Sequence, residues 1–249
     1  MSDIRHMPEA PTHSAAHEAG DVIDRHRHDD HQLVYVSTGV LVVQTAAGSW
    51  VAARDRAVWL PAGTWHQHRF YGASRFHTVG FPPASPPLPA DAPAVVAVSA
   101  LLRELLIAFT SAGHGPRELG HLRAVMRDQL ARSPQQPITL PTPRDPRLAD
   151  ACALATDRLD ESLPLSRLAL EVGASERTLS RLFRDELGMT YPQWRTTLRL
   201  HSAAILLCGG APVTTVAHQC GWKTASSFIE AFRRAMGQTP GAYRARMTR

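Results

Sequence analysis

Residues Pro212–Arg244 read P-V-T-T-V-A-H-Q-C-G-W-K-T-A-S-S-F-I-E-A-F-R-R-A-M-G-Q-T-P-G-A-Y-R. A short amphipathic segment runs to a turn at Gly221, and a longer one follows. In the longer segment Phe228, Phe232, Ala235 and Met236 fall on one helical face; Ser226, Glu230 and Arg233 look outward, flanked by Ser227 and Arg234. Two helices joined by a tight turn, apolar behind and polar in front, are the layout of a helix-turn-helix, which offers one helix to the DNA major groove. Upstream, L-S-R-L-A-L-E-V-G-A-S-E-R-T-L-S-R-L-F-R-D-E-L-G from Leu165 repeats that layout. Two such devices on one chain point to DNA recognition.

In the upstream copy (165–187) Ser175 is the expected N-cap of the second helix. Leu179, Leu182 and Phe183 share one stripe, and Arg177, Ser180, Arg181 and Arg184 the opposite one. An arginine fork can donate two bonds to guanine O6 and N7, the role expected of Arg177 and Arg181; Arg184, a turn later, suits a phosphate. In the downstream copy (213–237) the candidate DNA surface is Lys223, Thr224, Ala225, Ser226, Glu230 and Arg233. Glu230 can accept from cytosine N4 but repels phosphate, so it reads either as a base reader or as the mark of a lesser contribution. Ala225 and Ile229 can meet thymine methyls, and Ile229 also fits packing at the edge of the core. Thr239 and Pro240 open a last short helix. Between the copies, residues 192–208 predict one helix of about 25 Å at 1.5 Å per residue. Adding a helix diameter of roughly 10 Å spaces the two readers by about one DNA turn, ~34 Å.

Charge follows this division. Residues 1–143 hold 12 Lys+Arg against 12 Asp+Glu, and residues 144–249 hold 15 against 10, so the net charge of +5 sits in the C-terminal part. Localised positive charge fits a phosphate-binding surface or an ordinary solvated face, and arginine outnumbers lysine there to the point that Lys223 stands alone. Cys152, Cys208 and Cys220 are odd in number and widely spaced, which supports neither a disulfide framework nor a zinc finger. No apolar run approaches the length of a membrane span, and the polar, His-rich start does not read as a signal peptide. The expectation is a soluble protein of a reducing cytosol, with no membrane partner.

The first half has another texture. Residues 1–20 lack periodicity and predict a loose tail. Over 21–84, short β-branched and aromatic runs (32–37, 40–45, 49–53, 57–60 and 77–81) alternate with Gly39, Gly48, Pro61-Ala62-Gly63 and Gly72, and predict a small β-barrel closed by the Pro-rich stretch 82–93. Residues 98–133 predict a helical hairpin broken at Gly113-His114-Gly115-Pro116, for packing on the barrel or pairing with a second copy. Five prolines make 134–146 a stiff linker, and residues 147–249 form the second domain, opening with a supporting helix over 147–161.

The helical half resembles the AraC/XylS family of bacterial transcription regulators. The resemblance rests on L-A-L-E-V-G-A-S-E-R-T-L-S-R-L-F (168–183), G-M-T-Y-P-Q-W-R-T-T-L-R-L (188–200) and A-F-R-R-A-M-G-Q-T-P-G-A-Y-R (231–244). It covers about Arg147 to Arg246 and departs at Trp222, where the family usually has Tyr or Phe. It implies binding to double-stranded promoter DNA and control of RNA polymerase access. The implied contacts are Arg177, Ser180 and Arg181, then Ala225, Ser226, Ile229 and Glu230.

In the first half, Gly20-x5-His26-x-His28-x3-Gln32-x6-Gly39 and Pro61-x-Gly63-x2-His66 resemble the two cupin motifs. Together the halves imply an α+β protein: a cupin-like jelly-roll barrel with a helical hairpin, then an all-α domain of two helix-turn-helix motifs joined by a linker helix. The cupin resemblance implies one divalent transition metal at His26, His28, Gln32 and His66, with His31 or His68 as substitutes. Gln32 stands where the family has Glu, a weaker ligand, and Asp55 where it has glycine. Three readings of the histidines stand side by side: a metal site, the polar lining of a small-molecule effector pocket, or incidental surface residues. Trp50, Trp59 and Trp65 read as pocket lining or core.

The favoured function is a regulator, active as a homodimer, whose barrel senses a small molecule or metal. A ligand-independent regulator is the first rival. A metal-dependent cupin enzyme is the second, disfavoured because no acid–base partner is placed; the chain is read as no enzyme.

Overall fold

The computed structural model describes residues 4–89, 91–136 and 140–247, and these fall into two compact units that divide after residue 136. The first unit is built on strands β1 (Arg5–Met7), β2 (His13–His17), β3 (Val22–His28), β4 (His31–Thr45), β5 (Gly48–Ala52), β6 (Arg56–Leu60), β7 (His66–Phe81), β8 (Ala94–Ala97) and β9 (Gln135–Gln136). β4 and β7 form its spine, antiparallel from His31↔Phe81 to Thr45↔His66. β3 pairs with β7, β5 and β6 with β4, and β8 with β6.

Two sequence expectations change here. The breaks expected at Gly39 and Gly72 do not end strands. β4 passes Gly39 through register shifts between Val36 and Val40, because a bulge takes up an irregular residue without breaking the ladder on either side. The loose tail expected over residues 1–20 is a correction. β1 lies parallel to β3 (Arg5↔His26, Met7↔His28), and β2 lies antiparallel to β7 (His13↔Thr78 to His17↔Ser74). The edges of β3 and β7 carry backbone groups that need partners, and this polar segment supplies them. The sheet therefore reaches beyond the expected 21–84 at both ends, and β8 and β9 lie past the Pro-rich stretch.

Period-2 alternation divides the core. Leu33, Tyr35, Ala57, Trp59, Val79 and Phe81 face one side, packed by α1 (Ala100–Phe109) and α2 (Pro116–Arg132) through Leu102, Leu106, Phe109, Met126 and Leu130. Val34, Val36, Leu41, Val43, Trp50, Val58, Leu60, Phe70 and Phe76 face the other. Leu33–Val36 of β4 and Ala57–Leu60 of β6 read as unbroken apolar runs because both faces are covered there. Each large side chain so buried contributes about 1.5–3 kcal/mol. Trp50 and Trp59 are core residues, whereas Trp65 is half-buried beneath the Arg25 guanidinium, 4.8 Å from its ring centroid.

The second unit is helical: α3 (Pro146–Asp157), α4 (Leu165–Glu171), α5 (Glu176–Leu187), α6 (Tyr191–Cys208), α7 (Val213–Gln219), α8 (Ala225–Met236) and α9 (Pro240–Met247). The supporting helix ends at Asp157, short of the expected 161. Leu148, Leu168, Leu179, Leu182, Phe183, Leu187, Tyr191, Trp194 and Leu198 form one core, so the N-terminal half of α6 belongs to the first motif. Of the linker 134–146, residues 137–139 lie outside the described residues. Among the described residues no helix is long and apolar enough to cross a membrane.

Candidate functional site

The two motifs present their second helices in the same way. α5 is capped by Ser175, whose side chain accepts from the Thr178 N–H at 3.1 Å; α8 is capped by Thr224, which accepts from the Ser227 N–H at 3.2 Å. Leu179, Leu182, Phe183 and Leu187 anchor α5, while Phe228, Phe232 and Met236 anchor α8. Ala235, expected on the inner face of α8, is exposed instead. The two rings and Met236 already fill the contact, and a methyl group offers little more.

On α5, Arg177, Ser180, Arg181 and Arg184 line one shallow depression, together with Thr178 and Asp185, which the sequence reading did not single out. The three arginines are exposed, and among the described residues no carboxylate pairs with them. Such guanidinium groups are free to meet phosphate or guanine. On α8 and the turn before it, Lys223, Thr224, Ser226, Glu230 and Arg233 are exposed and Ala225 half-buried. Glu230 accepts from Arg234 Nη2 at 2.8 Å, which neutralises it locally. Ile229 is exposed, so it does not close the core edge.

In the sheet unit, His26 and His28 on β3 and His66 on β7 come together. His26 and His66 are register partners with ring centroids 4.2 Å apart, and one nitrogen from each of the three rings lies within 4.8 Å of the others. Backbone carbonyls orient the rings. His26 Nδ1 lies 2.6 Å from Asp24 O, His66 Nδ1 2.9 Å from Thr64 O and His28 Nδ1 3.3 Å from Met7 O. A carbonyl only accepts, so each Nδ1 carries the hydrogen and each Nε2 presents a lone pair.

Burial holds the His26 and His28 pKa below the ordinary imidazole value and takes His66 down to about 3; the neighbouring rings add to the effect at His28 and His66, and the Arg5 charge does so at His26. All three are neutral at pH 7, as ligands must be. Gln32 is buried and donates to Thr78 Oγ1 at 2.8 Å, leaving its carbonyl oxygen without a partner. His68 is fully buried beside His66, with ring centroids 5.0 Å apart, and neither of its nitrogens has a hydrogen-bond partner. His31 lies elsewhere, stacked on Trp59 and accepting from the Ala62 N–H.

Residues 168–246 match the family model described as a helix-turn-helix domain, and residues 10–120 the one described as an AraC-like ligand binding domain. The HTH-type transcriptional regulator NimR of Escherichia coli (strain K12) is 29% identical over 90% of this chain and 82% of its own length. The arabinose operon regulatory protein of Salmonella typhimurium is 32% identical over 57% of this chain and 52% of its own length. A solved AraC-type transcriptional regulator from Chromobacterium violaceum is 30% identical, with a TM-score of 0.40, over 42% of this chain and 94% of that one. The chain belongs to the AraC/XylS family: a DNA-binding transcription regulator with a ligand-binding domain ahead of its two helix-turn-helix motifs.

Proposed function

We propose that the first unit senses a divalent transition-metal ion, bound by Nε2 of His26, His28 and His66, and that this ion alters how α5 and α8 engage promoter DNA. One observation carries the reading: three buried imidazoles have their Nδ1 hydrogens committed to carbonyls, which leaves each Nε2 a free lone pair, and one nitrogen from each ring lies within 4.8 Å of the others. Three imidazoles suit Zn, Ni, Fe or Cu. His68, whose ring centroid lies 5.0 Å from that of His66 and whose nitrogens have no partner, is a further donor, and Gln32 has a buried carbonyl oxygen without a partner. When bound, such an ion supplies a positive charge and a cross-link. The histidines themselves would tie β3 to β7, and His28 would bring in β1 through Met7.

On the DNA, α5 and α8 enter successive major grooves, with Arg177 and Arg181 reading bases, and two protected segments about one turn apart are the footprint expected. α1 and α2 expose Leu101 (51%) and Val125 (43%), which supports pairing of two chains through the hairpin. By resemblance to the family, the regulator acts on RNA polymerase from within the bacterial cytoplasm.

The experiment is metal analysis of the purified chain, then promoter binding with and without added Zn, Ni, Cu or Fe, for the parent and for His26→Ala/His28→Ala. About one ion per chain is expected in the parent and none in the variant. Metal should change promoter affinity about 5- to 150-fold in the parent alone. A variant that binds and regulates like the parent removes the sensing role.

A further inference from the structure

The structure assigns to loop 158–163, with Arg199 and Gly221, the task of fixing the twist between the two recognition helices. Side chains away from the outward faces of α5 and α8 thereby decide which separation of half-sites the protein accepts. The inference rests on both helices touching DNA.

The loop joins α3 to α4 and so leads into the first motif, and its carbonyl oxygens are held by α6. Tyr191 donates its hydroxyl to Leu163 O at 2.7 Å. Arg195, only 6% exposed, donates through Nη2 to Arg158 O at 3.0 Å and Glu161 O at 2.5 Å, and through Nη1 to Tyr191 Oη at 3.0 Å. One turn on, Arg199 Nη2 donates to Glu161 O at 3.3 Å and Leu159 O at 3.4 Å. Among the described residues no carboxylate pairs with either arginine. Their charges are met by carbonyl dipoles, whose directions fix geometry as an ion pair between flexible side chains does not.

The second motif touches the same loop. Gly221, in the turn between α7 and α8, has φ +73°, and a Cβ there would lie 2.4 Å from Leu159 O, 2.6 Å from Arg199 Nη2 and 3.0 Å from Asp160 Cα. The Arg199 guanidinium sits 6.0 Å from the Trp222 ring centroid, and Trp222 lies 5.9 Å from Phe228 at the buried face of α8. Loop, arginine, turn and recognition helix are therefore one contiguous stack.

α6 alone, at about 27 Å for its length, sets how far apart the motifs are but leaves α7–α8 able to rock about its axis. The contact at Gly221 lies off that axis and removes the rocking. Two readers on one frame gain from each other only where their separation matches the DNA. A loosened frame loses that gain and accepts a wider range of spacings.

The test uses the full chain and a DNA site selected from a random library with the parent protein. Derivatives of that site carry one scrambled half-site, or one or two base pairs added or removed between halves. Arg199→Ala should bind the single half-site within about twofold of the parent, lose about tenfold or more on the intact site, and discriminate less between spacings. Arg199→Lys, which keeps the charge but replaces the planar guanidinium with a compact ammonium on a flexible stem, should fall between them. Gly221→Ala should shift in the same direction as Arg199→Ala.

Equal losses on both kinds of DNA, or an unchanged spacing preference, overturn the proposal. Should Arg199→Ala not melt cooperatively, Arg199→Lys carries the comparison. A parent footprint of one short segment would instead remove the two-reader reading beneath it.

Discussion

Gly80 in β7 lies against the backbone of Ala10: a Cβ on Gly80 would sit 2.3 Å from the Ala10 carbonyl oxygen. The contact is reinforced next door, where the Gly80 N–H donates to Thr12 Oγ1 at 3.0 Å and Thr78 Oγ1 donates to Pro11 O at 3.2 Å. Gly80→Ala should push this segment off the sheet. We expect a loss on the order of 1–3 kcal/mol and cleavage by a nonspecific protease within the first twenty residues at rates well above the parent's. Unchanged protection would mean that the strands there are not held by this contact.

Arg177 and Arg181 stand on the outward stripe of α5, anchored from behind by Leu179, Leu182 and Phe183. Replacing both with alanine should reduce discrimination between a selected site and unrelated DNA by about 1–3 kcal/mol per lost base contact. Arg184→Ala should weaken all sequences alike and reduce the slope of log affinity against log salt by about one. Competition binding at several salt concentrations separates the two behaviours. The same pattern for all three residues would deny α5 its reading role.

Tyr191 ties α6 to the loop at Leu163, and burial raises its hydroxyl pKa above the ordinary phenol value, so it remains a donor well beyond neutral pH. Tyr191→Phe leaves Leu163 O and one Arg195 hydrogen without their partner. The expected cost is about 1–2 kcal/mol in denaturant unfolding of the helical unit, with secondary structure retained. A change below about 0.5 kcal/mol would show that water replaces the hydroxyl.

His201 in α6 is 8% exposed, and burial takes its pKa down to about 4 from an ordinary 6.5. The unfolded chain therefore binds this proton more readily than the native one. Stability is unaffected above about pH 6.5 and falls as pH drops from there toward 4, by an amount on the order of 3 kcal/mol. His201→Gln should flatten that part of the profile in melts of the full chain. An unaltered slope would place the acid sensitivity on other groups.

The helical unit was legible in the residues alone, down to the Ser175 cap and the outward arginines of α5. Helix faces, N-caps and turn glycines are local in sequence, so Ser175 and the leucine and phenylalanine stripes announce themselves within a few residues, whereas the Thr224 cap emerged only in the structure. It also marked His26, His28 and His66, because ligand spacing within a motif is short-range. Tertiary structure decided what depends on pairing across long separations. Polar residues near the N-terminus became strands only because β3 and β7 had edges to fill. The histidines share a face only through the β3–β7 register, with their ring nitrogens oriented by carbonyls that no side-chain pattern encodes. Arg195 and Arg199, which look in sequence like two more cations of a basic domain, are turned inward onto backbone oxygens some forty residues away. Backbone carbonyls leave no mark in a sequence, and that is why the joint between the two motifs is visible only in three dimensions.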